Sequence, residues 1–215
     1  MTTTDSPKKK GSVPRWLAIP TAKPQLSTAE VASKYPRLRF QVFMGIFIGY
    51  ATFYLIRNNV PLVTPILTHE LGFSNAAIGA LSTALLLAYG FSKFFTAMIS
   101  DRSNARLFLP IGLVLSGIAN VLLAIAGYMG SGAAAAGYGA AIASTMAAIM
   151  VFNGIFQGMG WPPSGRVLVN WFSTSERGSK VSLWNTAHNV GGALSGLLVA
   201  WGFTLFCKTW QVAFW

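Results

Sequence analysis

From residue 40 onward the sequence runs in long apolar blocks with short polar breaks between them. A helix needs about 20 consecutive apolar residues to cross a bilayer. Within lipid, every backbone N–H and C=O must also be paired inside the spanning element. Blocks of this length therefore point to membrane helices. The spans cover residues 40–67, 76–99, 107–128, 141–171 and 178–206. The fourth bends at Pro162 and Pro163, because a proline removes an amide donor and kinks a helix. Residues 129–139, mostly small, read as a loop, and a sixth span starts at Trp210 and reaches only Trp215. The fold class expected is an all-α membrane protein with about five complete transmembrane helices and a truncated sixth.

Composition removes the main competing classes. Only 10% of the residues are charged, where a water-facing surface needs about 25%. A single cysteine, Cys207, allows no intrachain disulfide and no Cys-rich metal site. His69 and His188 are too far apart for a zinc motif, and no phosphate-cradling glycine loop or Ser/His/Asp set is present. The expectation is no enzyme, no metal and no cofactor.

The net charge of +11 fits either nucleic acid or the basic flanks of membrane helices, and position decides between them. Residues 1–39 hold eight basic side chains. Arg102 and Arg106 follow the second span, and Arg166, Arg177 and Lys180 lie between the fourth and fifth. An alternating topology puts these thirteen on one side and only Lys208 on the other. Such segregation excludes a nucleic-acid partner and places the N-terminus in the cytoplasm. Residues 1–39 are then a basic cytoplasmic tail, too long before the first apolar block to be a secretory signal.

Two basic residues stay inside apolar spans, Arg57 and Lys93. Arg57 lies about 26 Å along the first span at 1.5 Å per residue, too deep for easy snorkelling. Insertion of such a charge costs at least about 2.5–3.5 kcal/mol. The five acids, Asp5, Glu30, Glu70, Asp101 and Glu176, all fall at ends or in loops. A buried arginine with no internal counter-ion suggests a ligand as counter-ion, and its planar fork suits phosphate. His188, at similar depth in the fifth span, either joins this site or bonds a neighbouring helix as a neutral imidazole. Lys93, eight residues before Asp101, either faces the site or snorkels. Tyr50 and Tyr54 share roughly one helical face with Arg57 and either line a polar path or anchor the interface. The pairs Gly45/Gly49 and Gly192/Gly196 fit close helix packing.

At these residues the sequence resembles the organophosphate:phosphate antiporters of the major facilitator superfamily, bacterial glycerol-3-phosphate transporters in particular. The matching stretches include Tyr54-Leu55-Ile56-Arg57, Ala88-Tyr89-Gly90-Phe91-Ser92-Lys93 and Ser100-Asp101-Arg102-Ser103-Asn104. They continue with Phe156-Gln157-Gly158-Met159-Gly160-Trp161-Pro162-Pro163 and Trp184-Asn185-Thr186-Ala187-His188-Asn189. The resemblance implies twelve helices in two six-helix halves, of which residues 40–215 form an incomplete N-terminal half. It implies a multi-pass protein of the bacterial inner (plasma) membrane that exchanges an organophosphate for inorganic phosphate. It also implies that Arg57 binds substrate phosphate with a second arginine from the C-terminal half, and that Lys93 and His188 belong to the pathway. Asp101, Arg102 and Arg106 would form a conformational loop motif resembling a charge-relay latch. Two departures concern Asn58, where glycerol-3-phosphate transporters have lysine and phosphoglycerate carriers have asparagine, and Ala97, where the loop motif starts with glycine. Two alternatives stay open: a membrane sensor of hexose phosphate that signals to a kinase, and a non-functional truncated fragment.

Overall fold

The computed structural model describes residues 13–21, 26–135, 139–205 and 213. Lys8, Lys9, Lys10, Lys23, Cys207, Lys208 and the start of the sixth span lie outside the described residues. Among the described residues eight helices follow one another: α1 Thr28–Arg57, α2 Asn59–Leu71, α3 Asn75–Arg102, α4 Ala105–Ala135, α5 Gly139–Gln157, α6 Trp161–Trp171, α7 Thr174–Asn185 and α8 Ala187–Leu205. They map onto the five expected spans as α1–α2, α3, α4, α5–α6 and α7–α8. Among the described residues there is no strand, only an isolated bridge between Ala18 and Ser103.

Prolines explain two of the three mid-span breaks. An α-helix pairs each N–H with the carbonyl four residues earlier. Pro61 has no amide to give to the Arg57 carbonyl, and α1 stops at Arg57. Pro162 and Pro163 likewise cannot serve Gly158 and Met159, and α6 restarts at Trp161 with proline in its first turn. The third break is at Thr186, whose amide bonds the Leu183 and Trp184 carbonyls instead.

Two boundaries differ from expectation. α1 begins at Thr28, so the last twelve residues of the expected tail are helical. The cause is a capping box: Glu30 N–H donates to Ser27 Oγ while Ser27 N–H donates to the Glu30 carboxylate. The expected loop at 129–139 is shorter, because α4 continues through the alanine run to Ala135. Alanine is the strongest helix former, so the run extends a helix already begun at Ala105.

Among the described residues four helical spans are long and apolar enough to cross a membrane: Thr28–Pro65, Asn75–Arg102, Ala105–Met129 and Ala140–Trp171. The α7–α8 pair over the fifth expected span is not among them, since the break at Thr186 and the polar His188 and Asn189 dilute it. The outward faces are apolar: Phe91 is 66% exposed and Phe94 72%, a surface suited to lipid and not to water.

Inside the bundle α5 packs against α3 and α4, and α1 packs against α8. One apolar cluster joins Val63, Leu67, Leu81, Leu85, Leu123 and Met146. A second joins Phe43, Ile46, Tyr50, Leu168, Phe172 and Trp184. Along α1–α2 and α5–α6 the polar residues Arg57, Asn153 and Gln157 fall between the two. Close approaches of one helix to the backbone of another occur at Gly154, against the Leu85 carbonyl, and Gly191, against the Ala51 carbonyl. Of the four glycines expected at close contacts, Gly49 meets Leu109 and Gly192 meets Asn58, while Gly45 and Gly196 face open space.

Candidate functional site

Arg57 occupies the last position of α1, where the missing Pro61 amide ends the helix. Its Nε donates to Gln157 Oε1 at 3.1 Å. Its Cζ stands 4.3 Å from the Tyr54 ring centroid and 4.0 Å from that of Tyr89. The guanidinium thus lies against two aromatic rings, an attraction of up to about 2 kcal/mol per ring when desolvated. Among the described residues it has no carboxylate partner.

Lys93 sits one helical turn after Tyr89 on α3, and its Nζ is 4.0 Å from the same ring. Tyr89 therefore carries two cations and brings Lys93 into the neighbourhood of Arg57. His188, near the start of α8, has its ring 5.4 Å from that of Tyr54, and its Nδ1 pairs with the Asn185 carbonyl. Tyr50 is buried, 5.3 Å from Tyr54 and 4.4 Å from Trp184, whose indole donates to the Ile46 carbonyl. Tyr50 thus belongs to the packed aromatic wall, while Tyr54 touches both Arg57 and His188. Two basic side chains, Arg57 and Lys93, and the His188 imidazole gather around two tyrosine rings, and among the described residues neither Arg57 nor Lys93 forms an ion pair with an acid. Guanidinium and ammonium groups donate hydrogen bonds and accept none.

The sequence reading omitted Tyr89, Gln157, Ser116 and Asn153 as site residues. Gln157 Nε2 donates to Ser116 Oγ at 2.7 Å, and Ser116 Oγ donates to Asn153 Oδ1. All three side chains are buried. The available signal was the i, i+4 spacing of Asn153 and Gln157, and of Tyr89 and Lys93, inside apolar spans.

The loop motif lies at the C-terminal end of α3, eight residues beyond Lys93. Asp101, Arg102 and Arg106 are exposed, and Asp101 forms no ion pair among the described residues. The side chain that ties this turn down is Arg166 of α6, which donates to the carbonyls of Ser100 and, at 2.6 Å, Ser103. The N-terminal segment also joins in: Leu17 is buried, and its carbonyl accepts the Asn104 amide at 2.8 Å. Ile19, Pro20, Asp101, Arg106 and Arg166 line a cavity of about 580 Å³ beneath it. Nearby, Arg39 pairs with Glu176 and lies 4.6 Å from the Phe172 ring centroid, joining α1 to α7. The hydrogen bond from Arg39 holds the Glu176 carboxyl below its ordinary range.

Residues 46–215 match the family model of the Major Facilitator Superfamily. The chain belongs to the major facilitator superfamily. As a superfamily member it is 46% identical over 190 residues to the glycerol-3-phosphate transporter of Bacillus subtilis, covering 88% of this chain and 40% of that protein. It is 38% identical over 185 residues to the phosphoglycerate transporter protein of Salmonella typhimurium, covering 86% and 37%. It is 37% identical over 171 residues to the membrane sensor protein UhpC of Escherichia coli, covering 80% and 36%. The chain thus spans 40% or less of the length of these three relatives. Arg57, Tyr89, Lys93, Gln157 and His188 all fall inside the stretch matched to the facilitator superfamily. With this family and its apolar spans, the chain is a multi-pass membrane protein.

Proposed function

We propose that this chain supplies the phosphate-binding half of a secondary transporter that exchanges a small organophosphate, glycerol-3-phosphate or similar, for inorganic phosphate. The observation that carries the proposal is Arg57: a guanidinium held at Nε by Gln157, flanked by two tyrosine rings, and paired with no carboxylate among the described residues. With Nε occupied, the two terminal nitrogens are the edge that suits a bidentate phosphate. Lys93 adds positive charge through the shared Tyr89 ring, and His188 adds a hydrogen-bonding imidazole near Tyr54.

An organic phosphate carries up to two charges, more than Arg57 alone neutralises. The second arginine comes from a C-terminal half of the complete transporter, across the interface between the two halves. In this reading residues 40–215 belong to the N-terminal half and 1–39 to the basic tail, whose last twelve residues are helical. The tail and the Asp101, Arg102 and Arg106 turn face the cytoplasm of a bacterial inner membrane. The names of the relatives, transporters of glycerol-3-phosphate and phosphoglycerate, support this substrate class.

The test uses the complete transporter in vesicles, with inorganic phosphate inside and glycerol-3-phosphate, 3-phosphoglycerate or hexose 6-phosphate outside. Wild type exchanges one of these for phosphate. Arg57→Ala loses binding. Arg57→Lys also binds poorly, because a point charge cannot reproduce the fork. Wild-type affinity in both variants would overturn the assignment. A sensor reading rests on the likeness to the membrane sensor protein UhpC. Binding of hexose phosphate without any exchange would favour it.

A further inference from the structure

We propose that Ser116 and Asn153, which are joined to Arg57 through Gln157, are positioning residues that fix the orientation of the Gln157 amide and thereby aim the guanidinium. This rests on the reading of Arg57 as the phosphate ligand. A glutamine amide has an accepting oxygen and a donating nitrogen, and the two ends differ little in size. Arginine only donates. Gln157 must therefore turn its oxygen to Arg57 Nε, as it does at 3.1 Å, because the flipped amide would set N–H against N–H.

The rest of the chain of bonds follows from that one constraint. With its oxygen on Arg57, Gln157 directs its NH₂ group to Ser116 Oγ at 2.7 Å. A serine hydroxyl has a single proton. Since Ser116 Oγ accepts from Gln157, its own proton is free for Asn153 Oδ1, where it goes. Asn153 thus closes the alternative in which the serine would donate back to a flipped Gln157. Asn120 Nδ2 donates to the Ser116 backbone carbonyl at 2.9 Å and anchors the same stretch of α4.

Burial gives this directionality its strength. Ser116 is 0% exposed, Gln157 1% and Asn153 2%, so no bulk solvent stands ready to replace a lost partner. A buried donor left unpaired carries its whole desolvation cost. Four groups on three helices, α1, α4 and α5, therefore share one consistent set of donors. Arg57 is held by it at the nitrogen that phosphate does not need.

Removing the Ser116 hydroxyl leaves the Gln157 NH₂ without its acceptor and frees the amide to rotate. Nε loses a fixed partner, and the guanidinium swings on its stem. Ser116→Thr keeps the hydroxyl and the direction of the bonds. Asn153→Ala removes the acceptor that commits the serine proton, so Ser116 is no longer held as the acceptor of the Gln157 NH₂.

The experiment measures inorganic phosphate affinity and the number of binding sites for the complete transporter in detergent micelles. Ser116→Ala weakens phosphate binding about tenfold at an unchanged number of sites. Ser116→Thr stays within about twofold of wild type. A role in packing alone would lower the number of folded sites and leave affinity untouched, which would overturn the proposal. If Ser116→Ala fails to accumulate, Asn153→Ala tests the same bonds from the other end with the same expected loss. Arg57→Ala is measured alongside. Phosphate binding lost in Arg57→Ala but of wild-type affinity in Ser116→Ala refutes the positioning role alone. Wild-type affinity in Arg57→Ala refutes the site itself.

Discussion

Gly191 and Gly196 lie five positions apart on α8, and the structure gives them opposite responses to the same substitution. A Cβ at Gly191 would collide with the Ala51 carbonyl oxygen, with the carbonyl carbon at 2.8 Å and Tyr54 Cβ at 3.0 Å. Carbon atoms pack best at about 3.5–4.0 Å, so Gly191→Ala drives α8 and α1 apart by about 1 Å. Two of the opposing atoms are backbone and cannot swing aside. Overpacking of this kind costs about 1–3 kcal/mol. A Cβ at Gly196 meets nothing within 4 Å. Gly196→Ala then gains only from reduced backbone freedom in the unfolded chain, about 0.5–1 kcal/mol. The two variants should differ by about 1.5–4 kcal/mol. The assay is denaturant unfolding of this chain in detergent micelles, followed by circular dichroism. Equal midpoints for the two variants would refute the close approach of α1 and α8. Tyr54 is among the atoms displaced, so Gly191→Ala should also weaken phosphate binding in the complete transporter.

Four further outcomes are expected. A cysteine replacing Ser131 should be labelled by an impermeant maleimide from outside the cell, and labelling only after permeabilisation would invert the topology. Arg166→Ala should release the Ser100 and Ser103 carbonyls and speed proteolysis at the α3–α4 turn. Asp101→Ala should leave that cleavage unchanged while slowing exchange in the complete transporter, and equal cleavage rates in the two variants would remove Arg166 as the tie. The Glu176 carboxyl, held below its ordinary value near 4.5 by Arg39, contributes stability that is present above that value and is lost as pH falls through its folded value. Glu176→Gln should therefore flatten the acid limb of the unfolding curve, and an unchanged acid limb would exclude the pair as its source.

Length and polarity made the spans legible, because a bilayer tolerates few alternatives to a long apolar helix. Arg57 stood out for the same reason: a charge inside such a helix is expensive, and the acids that would offset it fall elsewhere. The breaks at Asn58 and at 158–160 follow from prolines that withhold particular amides. The start of α1 was harder to read. The charges and prolines of the tail argue for irregular chain, and the Ser27–Glu30 capping box outweighs them. Gln157, Ser116 and Asn153 are neutral, so no cost flags them singly, and their meeting depends on how α4, α5 and α1 rotate against each other. Arg166 escaped notice because its partners are backbone carbonyls, which every residue possesses.

The docking of Leu17 has a practical consequence for anyone preparing this protein. Judged by hydropathy, the polypeptide before residue 40 looks dispensable, and trimming to the first apolar block is a common step before crystallisation. Here the cut would remove tertiary structure. The Asn104 amide would lose its carbonyl, the seat of a buried leucine would be laid open, and the cavity beside Arg106 and Arg166 would lose the wall formed by Ile19 and Pro20. The shortest version that keeps these contacts intact begins ahead of Pro14, whose carbonyl accepts the Leu17 amide and shapes the turn.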